Sequence, residues 1–89
     1  MSEVVRLRSA ALEWREVEGE VIALDLGSST YLAINRAGAF LWPALIDGAT
    51  PAQLAQQLAG EFGLEGEQAR RDADAFLDSL RELDLLTAG

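Results

Sequence analysis

The chain has 89 residues, seven of them basic and fifteen acidic, for a formal net charge of −8 at neutral pH. A surface that negative repels phosphate backbones and anionic lipid, so the expected partners are proteins or peptides, with no nucleic acid and no membrane. The absence of Cys and His removes thiolate nucleophiles, imidazole bases, disulfides and nearly every zinc site, so no catalytic residue, metal or cofactor is expected.

A chain of this length has room for one small core, so residues 1–89 read as a single domain. A hydrophobic fraction of 49% with 25% charged residues fits a folded chain rather than a disordered one. No apolar run approaches the roughly 20 residues that span a bilayer. The start, Met1-Ser2-Glu3-Val4-Val5-Arg6, lacks a basic region followed by an apolar core, so a cytoplasmic protein without a signal peptide is expected.

Residues 1–11 form a weakly patterned arm, in which Val4, Val5 and Leu7 suit a short strand or a packed segment. Leu12 to Val17 alternates loosely and reads as a strand. Glu18-Gly19 signals a turn, and Glu20 to Leu26 reads as a second strand whose Ile22, Leu24 and Leu26 share the predicted core face. Gly27-Ser28-Ser29 turns into a third strand, Thr30 to Ile34, built of β-branched, aromatic and apolar residues. Residues 12–34 thus read as an antiparallel meander with Thr30–Ile34 at its edge.

Three helices are predicted over residues 36–86. Asn35 has a short carbonyl suited to capping a helix from Arg36 to about Ile46, with Ala37, Phe40, Leu41, Ala44 and Leu45 as its apolar stripe. Pro43 lies too deep for a first-turn proline and predicts a kink near Ala39. Asp47-Gly48 ends the helix. Thr50-Pro51-Ala52-Gln53 is a capping box with proline at the first helical position, opening a helix that carries Leu54, Leu58 and Phe62. The third helix opens at Glu65-Gly66-Glu67 and runs to Leu83–Leu86, with Ala69, Ala73, Phe76, Leu80 and Leu83 predicted to face the core. Nothing after Leu86 is predicted to be structured.

Two features point to binding. The Thr30–Ile34 strand contains no Lys, Pro or inward charge, the devices that normally blunt a sheet edge. Alternation turns Leu32 and Ile34 inward and leaves Tyr31 and Ala33 on the opposite face. Either an extended chain completes this edge, or a terminal segment such as Val4 to Arg8 covers it. On the third helix, Arg70, Asp74, Leu77 and Arg81 recur at steps of four, three and four and share a face. They form either a groove wall anchored by Leu77 or a solvated face with a weak Arg70–Asp74 pair.

The order Tyr31-Leu32-Ala33-Ile34-Asn35-Arg36-Ala37-Gly38-Ala39, Leu41-Trp42, Leu45, Asp47-Gly48, Thr50-Pro51-Ala52-Gln53-Leu54, Leu58, Asp72, Phe76-Leu77, Leu80 and Leu85-Leu86 resembles the PqqD-like proteins from about Leu12 onward. The resemblance implies an α+β winged helix-turn-helix, a three-stranded antiparallel sheet followed by three helices. It also implies a non-catalytic recognition element that binds the leader region of a ribosomally made precursor peptide. The leader would add as a strand beside Thr30–Ile34 and against the third helix, touching Thr30, Tyr31, Leu32, Ala33, Ile34, Arg70, Asp72, Asp74, Leu77 and Arg81; Asp72 is included on the resemblance alone. The phrasing Leu24-Asp25-Leu26-Gly27-Ser28-Ser29-Thr30-Tyr31 is most similar to the discrete leader-binding proteins of lasso-peptide pathways. Those imply a separate leader peptidase of cysteine-protease type as partner, followed by a macrocyclase. A PqqD-type peptide chaperone of quinone-cofactor biosynthesis is the first alternative, and an acidic winged-helix interaction domain the second. Pro43 departs from the polar helix former usual in relatives, and Asp84 stands near a place where relatives often carry Gly.

Other classes fit less well. Asp78-Ser79-Leu80 is the tripeptide that carries phosphopantetheine in acyl carriers, but here it lies inside a late helix behind a three-strand opening. A DNA-reading helix brings Arg or Lys to phosphates, whereas this chain has no Lys and its third helix has at least as many acids as bases. Asp74 and Asp78, at i,i+4, share a surface that reads as solvated charge rather than a catalytic pair. Trp14 and Trp42 read as core or sheet-packing residues.

Overall fold

The computed structural model describes residues 3–88. Its strands are β1 (Val5–Leu7), β2 (Leu12–Val17), β3 (Glu20–Asp25), β4 (Thr30–Ile34) and β5 (Leu86–Ala88); its helices are α1 (Arg36–Asp47), α2 (Pro51–Phe62) and α3 (Gly66–Glu82). The architecture is α+β, an antiparallel sheet ordered β2-β3-β4 followed by three helices. Glu18 and Gly19 both adopt positive φ and make the β2–β3 turn, as a tight hairpin requires. At the β3–β4 turn the Asp25 carboxylate accepts from the Gly27 N–H and the Ser28 hydroxyl, both at 3.0 Å.

The core face of β3 is opposite to the one predicted. Val21 and Ala23 are buried, while Ile22 and Leu26 are more than 40% exposed. The run from Val21 to Leu24 is apolar on both faces, so alternation alone does not choose between them. Register does: Val21 pairs with Ile34 and Ala23 with Leu32, and α1 packs on β3, where the small Ala23 permits close approach.

The Asn35 side chain accepts from the Gly38 N–H at 2.9 Å and starts α1. The helix continues past Pro43, and its buried side holds Ala39, Leu41, Trp42 and Leu45. Phe40 is displaced from the predicted stripe to the surface, where it packs edge-on against Phe62 at 5.8 Å. Trp42 is buried and meets the rim residue Trp14 edge-on at 6.0 Å. The predicted capping box at Thr50 and Gln53 forms on both sides, and Gly63 closes α2 in the left-handed conformation.

The chain ends differ from expectation. α3 stops at Glu82 because Asp84 turns to φ 58°, the left-handed region that a Gly enters without penalty. Leu86–Ala88 is then not unstructured but a strand, paired antiparallel with β1. On the other side of β1, Val5 exchanges two backbone hydrogen bonds with Ala49 (2.8 and 3.0 Å). The Arg6 guanidinium donates to the Asp47 carbonyl at the end of α1, a favourable place for a cation. The N-terminal arm is therefore engaged away from β4. Among the described residues, no segment pairs with the outer edge of that strand.

Candidate functional site

The exposed backbone groups of β4 follow from the ladder. The Leu26 N–H donates to the Ala11 carbonyl at 2.9 Å, so Ile22 and Leu24, in step with Leu26, bond toward β2. Val21, Ala23 and Asp25 then bond toward β4, to Ile34, Leu32 and Thr30. Tyr31 and Ala33 direct their N–H and C=O groups to the free edge. That makes two donors and two acceptors without a neighbouring strand, beside the Ile34 and Leu32 side chains that turn toward the core. Ile34 is buried, Leu32 half-buried, and Thr30, Tyr31 and Ala33 are exposed, as alternation predicts for all but Thr30 at the turn.

α3 forms the second wall. A cleft of about 230 Å³ lies between β4 and α3, lined by Leu32, Ala33, Ile34, Phe76, Leu80 and Leu83 among others. Past Asn35 a second cleft of about 420 Å³ opens between the start of α1, Leu58 of α2, and Asp72, Ala75 and Ser79 of α3. The two share Asn35, Phe76 and Ser79, so Phe76 is the partition between them. Gly38 makes room for it: a Cβ at Gly38 would stand 2.7 Å from Ile34 Cγ2 and 2.8 Å from Phe76 Cε1. The glycine of the Gly-Ala-x-Leu-Trp stretch thus lets an aromatic ring from α3 close against the β4–α1 junction.

This geometry corrects two placements on α3. Leu77 is fully buried, with Ala69, Ala73 and Leu80, and is not an accessible groove anchor; Phe76 is the apolar residue at the cleft. Both registers satisfy three- and four-residue spacing, so periodicity does not separate them. The buried line 69-73-77-80 places Phe76 one position round, on the β4 side. The charged line is on the flank of α3 away from the clefts. At about 100° per residue, Asp72, Phe76, Ser79 and Leu83 fall in one arc facing the clefts, and Arg70, Asp74 and Arg81 lie about 180° away. Arg70 pairs with Asp74 at 3.4 Å and Arg81 with Asp78 at 3.2 Å. Asp72 does line the larger cleft, and its Oδ1 accepts from Gln68 Nε2 at 2.8 Å.

Phe76, Ser79, Leu83 and Gly38 were not singled out as site residues in the sequence. A signal was present for Leu83, an apolar residue just where the helix ends, and for Gly38, a glycine in a helical first turn. Among the described residues no group of three His, Cys, Asp or Glu side chains stands close enough to hold a metal ion, and no helix is long and apolar enough to cross a membrane.

Two solved structures share this fold. A protein described as TbiB1 in complex with the TbiA(beta) leader peptide superposes with a TM-score of 0.81 at 25% identity, covering 91% of this chain and 93% of that one. A lasso peptide synthetase B1 complexed with the leader peptide superposes at 0.79 with 31% identity, covering 93% and 96%. No curated protein sequence matches. The profile of coenzyme PQQ synthesis protein D matches residues 20–86, which spans β3, β4, all three helices and both clefts; the chain belongs to the PqqD family.

Proposed function

We propose that this protein is a non-catalytic recognition element for the leader region of a ribosomally made lasso-peptide precursor. The leader adds as an antiparallel strand on β4, with alternate side chains entering the cleft against α3. The carrying observation is the open β4 edge with its donors and acceptors at Tyr31 and Ala33, next to an apolar cleft. The two solved relatives that share the fold are described as leader-peptide complexes. Of the residues put forward from the sequence, Thr30 to Ile34 and Asp72 belong to this proposed contact surface. Phe76, Ser79 and Leu83 join them, and Arg70, Asp74, Leu77 and Arg81 do not. The protein delivers its leader to a separate peptidase, which gains from the raised local concentration of substrate, ahead of a macrocyclase.

The energies are of the right size. Two or three leader side chains buried in the cleft contribute about 1.5–3 kcal/mol each, and four backbone bonds about 0.5–1.5 kcal/mol each. Ordering a flexible leader costs several kcal/mol of this, which leaves a dissociation constant between about micromolar and nanomolar. The test is a fluorescence-anisotropy titration with the leader half of a precursor encoded beside this gene. Saturable binding in that range is expected; no binding at tens of micromolar overturns the proposal. The family description also supports a second reading, a peptide chaperone for quinone-cofactor synthesis, which uses the same edge. Preference for a quinone-cofactor precursor peptide over a lasso leader in the same titration selects it.

A further inference from the structure

The cleft beyond Asn35 has a chemistry different from the strip beside β4. Its walls include apolar Leu41, Leu58, Ala75 and Phe76, and Asp72 is its one ionisable residue. Of the three aspartates on α3, Asp74 is paired with Arg70 and Asp78 with Arg81, whereas Asp72 has no ion pair among the described residues. The neighbouring cation is held off: Arg71 Nη2 donates to Gln68 Oε1 at 3.1 Å, and the same Gln68 amide donates from Nε2 to Asp72 Oδ1. Asp72 Oδ2 makes no hydrogen bond among the described residues. A carboxylate without an arginine partner, lining a cleft of about 420 Å³ that joins apolar Ala37, Ala75 and Phe76 to polar Asn35 and Ser79, matches a side chain with an aliphatic stem and a cationic head.

We propose that this cleft is a second specificity site of the peptide groove and takes a Lys or Arg side chain of the bound peptide. This rests on strand addition at β4 as proposed above. The order of residues along the groove fixes where that side chain lies. Leu32 and Leu83 line only the first cleft, Asp72 only the second, and Asn35, Phe76 and Ser79 both. A chain paired with β4 therefore reaches the Asp72 cleft as it passes Ile34 and Asn35. Every pair in this sheet is antiparallel, and a strand added in the same sense runs from Ile34 toward Thr30. The basic residue is then on the N-terminal side of the paired stretch. A stem lying along Phe76 also brings its cation near the ring face, a contact that stabilises Lys and Arg heads.

The test uses the fluorescein-labelled leader half of the neighbouring precursor, and the same peptide with each Lys or Arg changed in turn to Gln. Each is titrated into the wild-type protein and into Asp72→Asn, at low and at high salt. One basic position N-terminal to the paired stretch is expected at which the change to Gln, like Asp72→Asn, weakens binding about fivefold at low salt. Combined, the two changes should weaken it no further, and the effect should shrink in high salt because the site is open to solvent. Circular dichroism checks that Asp72→Asn keeps its helices. Three results overturn the inference while leaving strand addition standing: an unaltered affinity in Asp72→Asn, additive losses at every basic position, or tight binding by a leader with no basic residue on that side. Failure of the unmodified peptide to bind wild-type protein removes both.

Discussion

The β2–β3–β4 sheet has two edges with the same backbone chemistry and different surroundings. By the alternation that points Tyr31 and Ala33 outward on β4, Leu12, Trp14 and Glu16 point their backbone groups outward on β2. β2 reads Leu-Glu-Trp-Arg-Glu-Val, with three charges in six residues; β4 reads Thr-Tyr-Leu-Ala-Ile, with none. Charged side chains protect an edge because an incoming strand must desolvate them. Next to β4, α3 adds an apolar cleft. At the β2 edge the nearest aromatic, Trp14, is engaged with Trp42, and the depression nearby, about 250 Å³, spreads across the sheet from Glu13, Trp14 and Arg15 over Ile22 and Leu24 to Tyr31, with charged groups at its β2 end. An unpaired edge is thus only half of a binding site; what flanks it decides whether a peptide gains by pairing there.

Proline at matched positions breaks the comparison most directly. Ala33→Pro removes an outward N–H without touching the β3 ladder, and proline is tolerated at such edge positions. Losing that bond, and displacing the next one by the ring, is expected to raise the leader dissociation constant about thirtyfold, or roughly 2 kcal/mol. Glu16→Pro makes the same change on β2 and should leave affinity within about twofold. Anisotropy titration reads both, with thermal melts showing that each variant folds. Equal losses at the two edges would mean that the peptide does not distinguish them.

How much of this was readable in the sequence depends on whether a local signal settles each question. Caps and turns were legible: Asn35, Thr50 with Gln53, and Gly48 each satisfy a helix end by a bond to nearby backbone, and such bonds are encoded within a few residues. The β4 edge was legible because a meander of short turns leaves its third strand outermost. Facing was not. Val21 to Leu24 is apolar at every position, so the core face was set by pairing with β4 and contact with α1, which are not local. The same ambiguity exchanged Phe76 and Leu77. Spacing alone fits either to the core, and only the approach of α3 to Gly38 assigns the ring to the cleft. Asp84 was legible as a departure from Gly but not as a stop to the helix, since its left-handed φ comes from the return of the chain to pair with β1.

Aromatic truncation at the two edges sharpens the comparison further, because binding and stability should separate. Phe76→Ala deletes the partition between the clefts and should raise the leader dissociation constant about tenfold, the size expected for a partly buried aromatic contact. Its cost in folding stability should be about 1–2 kcal/mol, below a full core truncation because the ring is only half-buried. Trp14→Ala removes the edge-on contact with Trp42 and should cost a similar amount in stability, with leader affinity unchanged within about twofold. Urea unfolding monitored by circular dichroism gives one quantity and anisotropy the other. Parallel losses in both variants would indicate that the β4 site responds to global stability rather than to its own wall.

The smallest effects are expected from the far flank of α3, and they discriminate between the two assignments of that helix. Arg70 and Arg81 are each about half exposed and paired with a carboxylate one turn away, so Arg70→Ala and Arg81→Ala should each change stability by less than about 0.5 kcal/mol. Because both lie on the side of α3 opposite the clefts, leader affinity should change by less than about twofold. Any residual effect should act through the field of the whole protein. Removing a cation makes an already acidic surface more negative, which slightly favours a basic leader at low salt. It should vanish as the Debye length falls below about 10 Å, above 0.1 M salt. A direct contact would behave in the opposite way, with a loss of affinity for Arg81→Ala at low salt that shrinks as salt is raised, because the side chain is about half exposed. The sign of a small number at low salt therefore decides which flank of α3 meets the peptide.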